Sequence, residues 1–590
     1  MLSTLAEQSD FRQTGRIDEV EALCAAFAKR WPDAVRSFEY GQSAEGRSMR
    51  ALLVTRTGAL TPQELRRRAI PLLMLQGGIH PGESDGKDAG FIALRELLGE
   101  PAMAGAQSPT PDLLEQIAVL FVPAFNTDGH ERVGRWNRPN QNGPEVTGWR
   151  TTAQNVNLNR DYTKAATPEM QAMLRLIDEW DPLICADLHV TDGADFEPDI
   201  SIQVEPINQG AAALWQSGVA LRDQLIEKLA AQGSLPLPFY PDLAKTDDPT
   251  SGFVLTVYSP RFSTGYFPQR NRFTVLVETH SWKPYAHRVL ITRNTIIDLA
   301  ELASVHGAAW LREVQQADAA ASKLGGAEVV LDYASGWREP SKAGGSVREP
   351  DEAGARRIDF RGYAYTREPS AISGALVTTY DPRTPKIWNV PYRDRVQSAL
   401  TVTAPAGGYV VPPSHAALVQ AKLALHGIES RLLTTAIAAA EVQAFRAERV
   451  EFSGVPFEGC QRATLIGQWR DEVQPIAAGS LHVPVAQRLS RLVLALLEPQ
   501  APDSLAAWGL FNACFEQKEV MERYVAEQIA RGMIAADPKL REEFERTVAR
   551  DPKFAADATA RLDFFLRRHA SWDVRFNLYP VRRLPRQSAQ

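Results

Sequence analysis

A chain of 590 residues is too long for one ordinary domain and, at roughly 100–200 residues per domain, holds three or four units. Its 44% apolar and 23% charged residues exclude a disordered, collagenous or coiled-repeat chain, and a net charge of -6 offers no basic field for nucleic acid or anionic lipid. Four cysteines (Cys24, Cys185, Cys460, Cys514) without paired spacing give neither a disulfide framework nor a thiolate zinc site, and no apolar run reaches the ~18 residues of a membrane span. The opening "MLSTLAEQSDF" lacks the basic and apolar regions of a signal peptide. Composition leaves two locations open, the cytosol or the mature form of an exported protein.

In chain order, residues 18–30 read as a helix with an apolar stripe, 49–55 as a strand and 71–80 as a second, fully buried strand. Residues 88–99 read as a helix closed by Gly99, 117–126 as a strand, 168–180 as a helix and 182–190 as a strand. A long helix over 211–233, a strand over 272–281 and helical sequence over 288–317 follow. This alternation predicts an α/β unit over 1–320, with a mixed, largely parallel sheet sandwiched by helices. Residues 334–356, rich in Gly, Pro, Ser and charge, read as a linker. Short alternating stretches then predict a strand-rich accessory domain over 325–495, with one helix at 414–428, and a helical C-terminal region over 500–590.

The densest chemistry lies in "GGIHPGESDGKDAG", directly after the strand at 71–80. His80 and Glu83 stand three apart where a strand turns into a helix, so both can point the same way. One imidazole and one carboxylate are half of a catalytic zinc site, which needs three protein ligands and an open position. Taken alone, such a pair is more often a surface histidine beside a first-turn glutamate. His189 closes the buried run 182–188 and supplies a third donor, at the carboxyl end of a strand where α/β sheets place functional groups. Asp187 is either its orienting carboxylate or a solvated strand-end charge. Glu278 ends the next such run, placed to accept a proton from water near a metal, and His280 is a lower-ranked ligand candidate. Between them, "NVNLNRDY" sets Asn159 beside Arg160, a fork plus an amide donor suited to a carboxylate, with Arg150 as a further cation.

Six features in order, His80-x-x-Glu83, "NTDG", Arg150, Asn159–Arg160, His189 and Glu278, resemble the carboxypeptidase A-like zinc metallocarboxypeptidase family. "YGQSAEGRSM" at 40–49 is similar to that family's opening, and the likeness covers residues 15–310. The resemblance implies one zinc ion per chain held by His80, Glu83 and His189, with Glu278 as general base and acid. It implies that Arg150 stabilises the oxyanion, with Arg138 as rival. Asn159 and Arg160 are implied to grip the free C-terminal carboxylate of a peptide. The family's active-site tyrosine is expected at Tyr266, with Tyr258 in competition. By the same likeness the protein is expected in the periplasm or secreted.

Three departures bear on this reading. Asn157 stands where the family carries an aspartate that orients the first zinc histidine. The tyrosine position is divided. The residue that sets side-chain specificity does not align, and Arg270 and Arg272 open the option of an acidic substrate. Two other functions are weighed: an amidohydrolase, deacylase or peptidoglycan-peptide hydrolase on the same fold, and a binding module with a vestigial peptidase domain. The bulk of 325–590 argues against a small deacylase, and the filled ligand and base positions argue against a vestigial site. His415, His426 and His482 are expected to be structural, and Trp508, Phe511 and Phe515 to be core. The oligomeric state is not legible.

Overall fold

The computed structural model describes residues 2–103, 105–335, 355–518 and 521–585, so most of the expected linker at 334–356 lies outside the described residues. The first unit is built on an eight-stranded sheet. Its strands are β1 (Val35–Gln42), β2 (Ser48–Val54), β3 (Leu72–Gly77), β4 (Ala118–Val122), β5 (Ile184–Val190), β6 (Ile200–Glu205) and β7 (Pro236–Leu237). After two short strands, β8 (Asp242–Leu243) and β9 (Phe253–Val254), β10 (Phe273–Thr279) completes it. The order is β1-β2-β4-β3-β5-β10-β6-β7. The four central strands β4, β3, β5 and β10 run parallel, and antiparallel strands β2 and β6 flank them. This is the mixed, largely parallel sheet that the buried apolar runs predict.

Residues of β3, β4, β5 and β10 are buried at every position, which is why their sequences are continuous apolar runs. Helices Ile17–Arg30, Asp85–Leu97 and Tyr285–Ala321 pack on one face, sharing a core with Leu73, Leu75, Ile184, Ala186, Val275 and Val277. The helix after β3 sits hard on the sheet: a Cβ on Gly86 would lie 2.5 Å from the Cβ of Leu188. Gly78, at φ +65°, makes the turn that leads β3 into His80, and its carbonyl accepts the Asn126 N–H at 3.1 Å. The loops after β3 and β4 are thereby tied together.

The opposite face is covered by helix Pro168–Trp180 and by the second half of the chain. One apolar cluster runs from Met74 and Met173 through Val411 and Val419 to Leu492 and Tyr579. The strands of this half are β11 (Glu328–Ser335), β12 (Arg356–Pro369), β13 (Leu376–Arg393), β14 (Val396–Thr403) and β15 (Gly408–Val411). They continue as β16 (Arg431–Leu432), β17 (Ile437–Phe452), β18 (Ala463–Ile476), β19 (Leu481–Val483) and β20 (Leu578–Leu584). The hairpin β12–β13 adds to β9 and β8, so one four-stranded sheet draws strands from both sides of the expected boundary at 320. β11 and β14 pair as a two-stranded antiparallel sheet, and a six-stranded sheet, β16-β19-β15-β20-β17-β18, forms the rest.

The C-terminal region departs from the all-helical expectation. Residues 501–511 form turns rather than a helix, because Gly509 at φ +84° breaks the run and Trp508 donates to Thr163 Oγ1 at 3.0 Å. After a 3-10 turn at Asn512–Phe515 the α-helices begin only at Arg523, and β20 returns to the six-stranded sheet between β15 and β17. Its Arg583 forks onto the buried Glu498, Nε to Oε1 at 2.8 Å and Nη2 to Oε2 at 2.5 Å, and Tyr409 donates to the same carboxylate. Replacing Arg583 by Met should therefore cost about 3–5 kcal/mol, since Glu498 would remain buried without its cation. Adding Glu498→Gln to that variant should recover part of the loss. Urea unfolding of the two variants checks this, and an unchanged midpoint for Arg583→Met would show that the pair does not hold β20.

Candidate metal centre and carboxylate grip

The parallel strands deliver the predicted residues to one edge of the sheet. His80 follows β3, Asn126 follows β4, His189 lies at the end of β5 and Glu278 at the end of β10. Glu278 and His189 are direct register partners, so two functional side chains share one rung. His80, Glu83 and His189 are all buried, and one donor atom of each lies within 4.8 Å of the other two, the one such group of three among the described residues. His80 Nδ1 is 3.1 Å from Glu83 Oε1, and His189 Nδ1 is 2.9 Å from Glu83 Oε2.

Each outer ring nitrogen faces a polar neighbour, Asp187 for His189 and Asn157 for His80. His189 Nε2 lies 2.9 Å from Asp187 Oδ2, and Asp187 also accepts from Gln76 Nε2 at 2.7 Å and from Ser263 Oγ. Asp187 is thus the orienting carboxylate of the two readings offered for it. His80 Nε2 lies 3.1 Å from Asn157 Oδ1, which also accepts the Asn159 N–H at 2.9 Å. The neutral amide of Asn157 occupies the orienting position. Both Nδ1 atoms face the Glu83 carboxylate. Burial, with Arg150 adding, lowers the His80 pKa to about 4, so its imidazole stays neutral, as a metal ligand must. Two imidazoles and a carboxylate without thiolate, gathered at one buried point, fit an open zinc site.

Glu278 Oε2 is buried and has no hydrogen-bond partner among the described residues. Burial pushes its pKa up to about 8; the charges of Glu83, Asp192 and Asp187 add to this and His189 opposes it. The two arginine rivals differ in their freedom. Arg138 Nη1 contacts Glu83 Oε1 at 3.0 Å, its Nη2 donates to Val190 O and Thr191 O, its Nε donates to Gln141, and its side chain is 7% exposed. Arg150 makes a single 3.4 Å contact with Glu83 and is 38% exposed, which leaves donors for a substrate.

Asn157 caps the short turn Leu158–Arg160 and presents Asn159 and Arg160. Asn159 Oδ1 accepts the Ser263 N–H at 3.2 Å, which turns its amide donors the other way. Arg160 stacks over Phe262 at 4.0 Å and donates from Nη1 to its neighbour's carbonyl at 2.7 Å. No carboxylate stands within ion-pair range of it among the described residues. Burial, with Arg261 and Arg150 adding, lowers its pKa to about 10. A largely desolvated cation without a counter-ion is a prepared seat for an anion.

Several expectations are corrected. Tyr266 is fully buried, stacks near Tyr162 and hydrogen-bonds His426 Nδ1 at 3.0 Å, so its hydroxyl does not line the site. Tyr258 is the half-buried tyrosine that feels the charges of both Glu278 and Arg160, and burial raises its pKa so that it stays a donor. Arg270 and Arg272 do not select an acidic substrate. Both are buried, the first paired with Asp178 and the second with Asp181 and Asp318. His280 stacks on Phe196 at 4.0 Å and faces Asp195, away from the metal group. His426 and His482 hold Tyr266 and the Gly407 carbonyl. The sequence reading missed Gln76 and Ser263, which fix Asp187, and Glu458, which reaches Asn157 from the second half of the chain.

Residues 20–194 match the profile of the family described as zinc carboxypeptidase, so the likeness read from the motifs holds over the segment that carries His80, Glu83, Asn159, Arg160 and His189. Glu278 and Tyr258 lie beyond it. Carboxypeptidase 2 of Trichophyton tonsurans and of Trichophyton equinum are each 30% identical over 164 residues, 27% of this chain and 26% of the relative. The chain thus spans about a quarter of the length of the curated relatives it matches. Among solved structures, a metallo-carboxypeptidase of Burkholderia cenocepacia matches at 16% identity and TM-score 0.34, covering 49% of this chain and 69% of that one. Carboxypeptidase A of Helicoverpa armigera matches at 17% identity and TM-score 0.33, covering 49% and 74%.

The donor set predicts about one zinc ion per chain, removable by a chelator. A His80→Ala, His189→Ala double variant should lose it, as measured by elemental analysis of dialysed protein. Undiminished zinc in that variant would move the metal elsewhere.

Proposed function

We propose that this protein is a zinc metallocarboxypeptidase that removes the C-terminal residue of peptides. The observation that carries the reading is the pairing of a two-histidine, one-glutamate donor set with Asn159 and an Arg160 that is largely desolvated and makes no ion pair among the described residues. Zinc held by His80, Glu83 and His189 supplies Lewis acidity toward water and the scissile carbonyl.

The remaining chemistry falls to the chain's own groups. Glu278 accepts the water's proton at its unpartnered Oε2 and returns it to the leaving amine. Arg150 directs its free donors to the oxygen on which negative charge develops. Asn159 and Arg160 hold the terminal carboxylate, which sets the scissile bond one residue from the chain end. Tyr258 takes the place expected of Tyr266, as a hydroxyl donor between the base and the grip. By likeness to exported relatives we assign the protein to the periplasm or the secreted fraction. Among the described residues no helix is long and apolar enough to cross a membrane.

Glu278→Gln should keep its zinc and lose about two to four orders of magnitude in turnover, because an amide has nearly the same shape but no basicity. If the Gln variant loses the metal instead, Glu278 is a ligand. Amidating the C-terminus of a good peptide substrate should slow its cleavage at least ~10-fold, since a charge-assisted contact is worth about 1.5–3 kcal/mol. Arg160→Ala should erase most of the difference between acid and amide. Equal wild-type rates on the two peptides would favour an endopeptidase or amidohydrolase.

A further inference from the structure

The two segments that form the carboxylate grip are both held from the far half of the chain. The turn between β17 and β18 places Glu458 against the segment 157–164. Its Oε2 accepts the Asn157 N–H at 2.8 Å, and its carbonyl accepts from Lys164 Nζ at 2.7 Å. Trp508 adds a hydrogen bond to Thr163 and lies under Lys164. The second segment, at 261–263, is held by Asp503, which accepts the Arg261 backbone N–H at 3.0 Å and its Nη1 at 3.1 Å. That fixes Phe262, the ring on which Arg160 lies. Asn157 is the hub of the first segment, since its Oδ1 faces His80 and caps the turn that presents Asn159 and Arg160.

We infer that Glu458 is a positioning residue for the Asn159–Arg160 grip, so that the β17–β18 hairpin sets the affinity of the N-terminal site for carboxylates. Glu458 touches no reacting atom. It accepts the first backbone N–H of the turn and so fixes where the turn begins, which in turn fixes the plane of the Asn159 amide and the height of the Arg160 fork. Ligand carboxylates would meet donors already in place, and the ordering cost of the loop would be met before binding. The half-exposed hairpin tip leaves the fold independent of this one side chain.

The inference rests on the carboxypeptidase reading for its substrate, but its test does not need turnover. The full-length zinc-loaded protein is compared with Glu458→Ala and Glu458→Gln. The probes are N-acetyl-phenylalanine, N-acetyl-lysine and N-acetyl-glutamate, and the readout is the affinity by calorimetry of whichever binds the wild type best. Glu458→Ala should weaken that binding at least ~5-fold, in line with losing one partly buried positioning hydrogen bond. Glu458→Gln keeps an oxygen acceptor for the Asn157 N–H and should restore affinity to within ~2-fold of wild type. On a blocked peptide, Glu458→Ala should raise KM by the same factor with kcat nearly unchanged, and the penalty for amidating the peptide should shrink. Wild-type affinity in Glu458→Ala, equal loss in the Ala and Gln variants, or no wild-type binding of any probe would each overturn the inference. Wild-type binding without hydrolysis of any peptide would instead overturn the carboxypeptidase reading, while the Ala and Gln comparison would still decide the role of Glu458.

Discussion

One buried carboxylate ties the site together. Glu83 touches both histidines through their Nδ1 atoms, takes Arg138 and Arg150 on Oε1, and accepts the Val190 N–H on Oε2 at 3.1 Å. Burial works against the charge of an acid this deep; the two imidazoles and the Arg138 guanidinium packed around it overcome that and hold its pKa well below the carboxylate range. The ring of donors around it fixes the loop after β3 relative to the end of β5. Everything else at the sheet edge is placed with respect to that junction.

Around the junction the chain divides its labour by rigidity. The candidate metal donors and the proposed base sit on or beside buried parallel strands, where register alone holds Glu278 opposite His189. The proposed grip for a terminal carboxylate sits on loops, and those loops are clamped from outside by Asp503, Trp508 and the hairpin turn. A scaffold that fixes the reacting bond tightly and the recognition elements through a separate body can alter what it binds without moving what it cleaves.

Much of the first unit was legible because buried parallel strands write themselves as apolar runs, and a polar residue closing such a run is conspicuous. His80, His189 and Glu278 were found in this way. Arg270 and Arg272 were misread because their partners, Asp178, Asp181 and Asp318, are distant in the chain and only the folded packing brings them close. Tyr266 and Tyr258 differ in which side of a short helix and its preceding loop faces the cleft, and linear spacing carries no such information. Glu458 was out of reach: it bonds Asn157 across 301 residues, and "VPFEGC" reads as an ordinary turn. The C-terminal helices were partly overread because Leu505, Trp508, Phe511 and Phe515 recur at a helical spacing, while Gly509 at φ +84° breaks the run.

Strand β20 has a consequence for the order in which the molecule is assembled. It lies between β15 and β17 yet follows β18 by a long helical excursion, so during translation the six-stranded sheet is open until residues 578–584 leave the ribosome. Until then β17 and β18 have a hairpin but no neighbour on the β15 side, and the turn that bears Glu458 has no fixed platform. The residues of the candidate metal group, all encoded before residue 190, emerge far earlier. In a nascent chain they would be free to meet long before the proposed recognition loops are held firm, so the proposed capture of peptide ends would wait on β20.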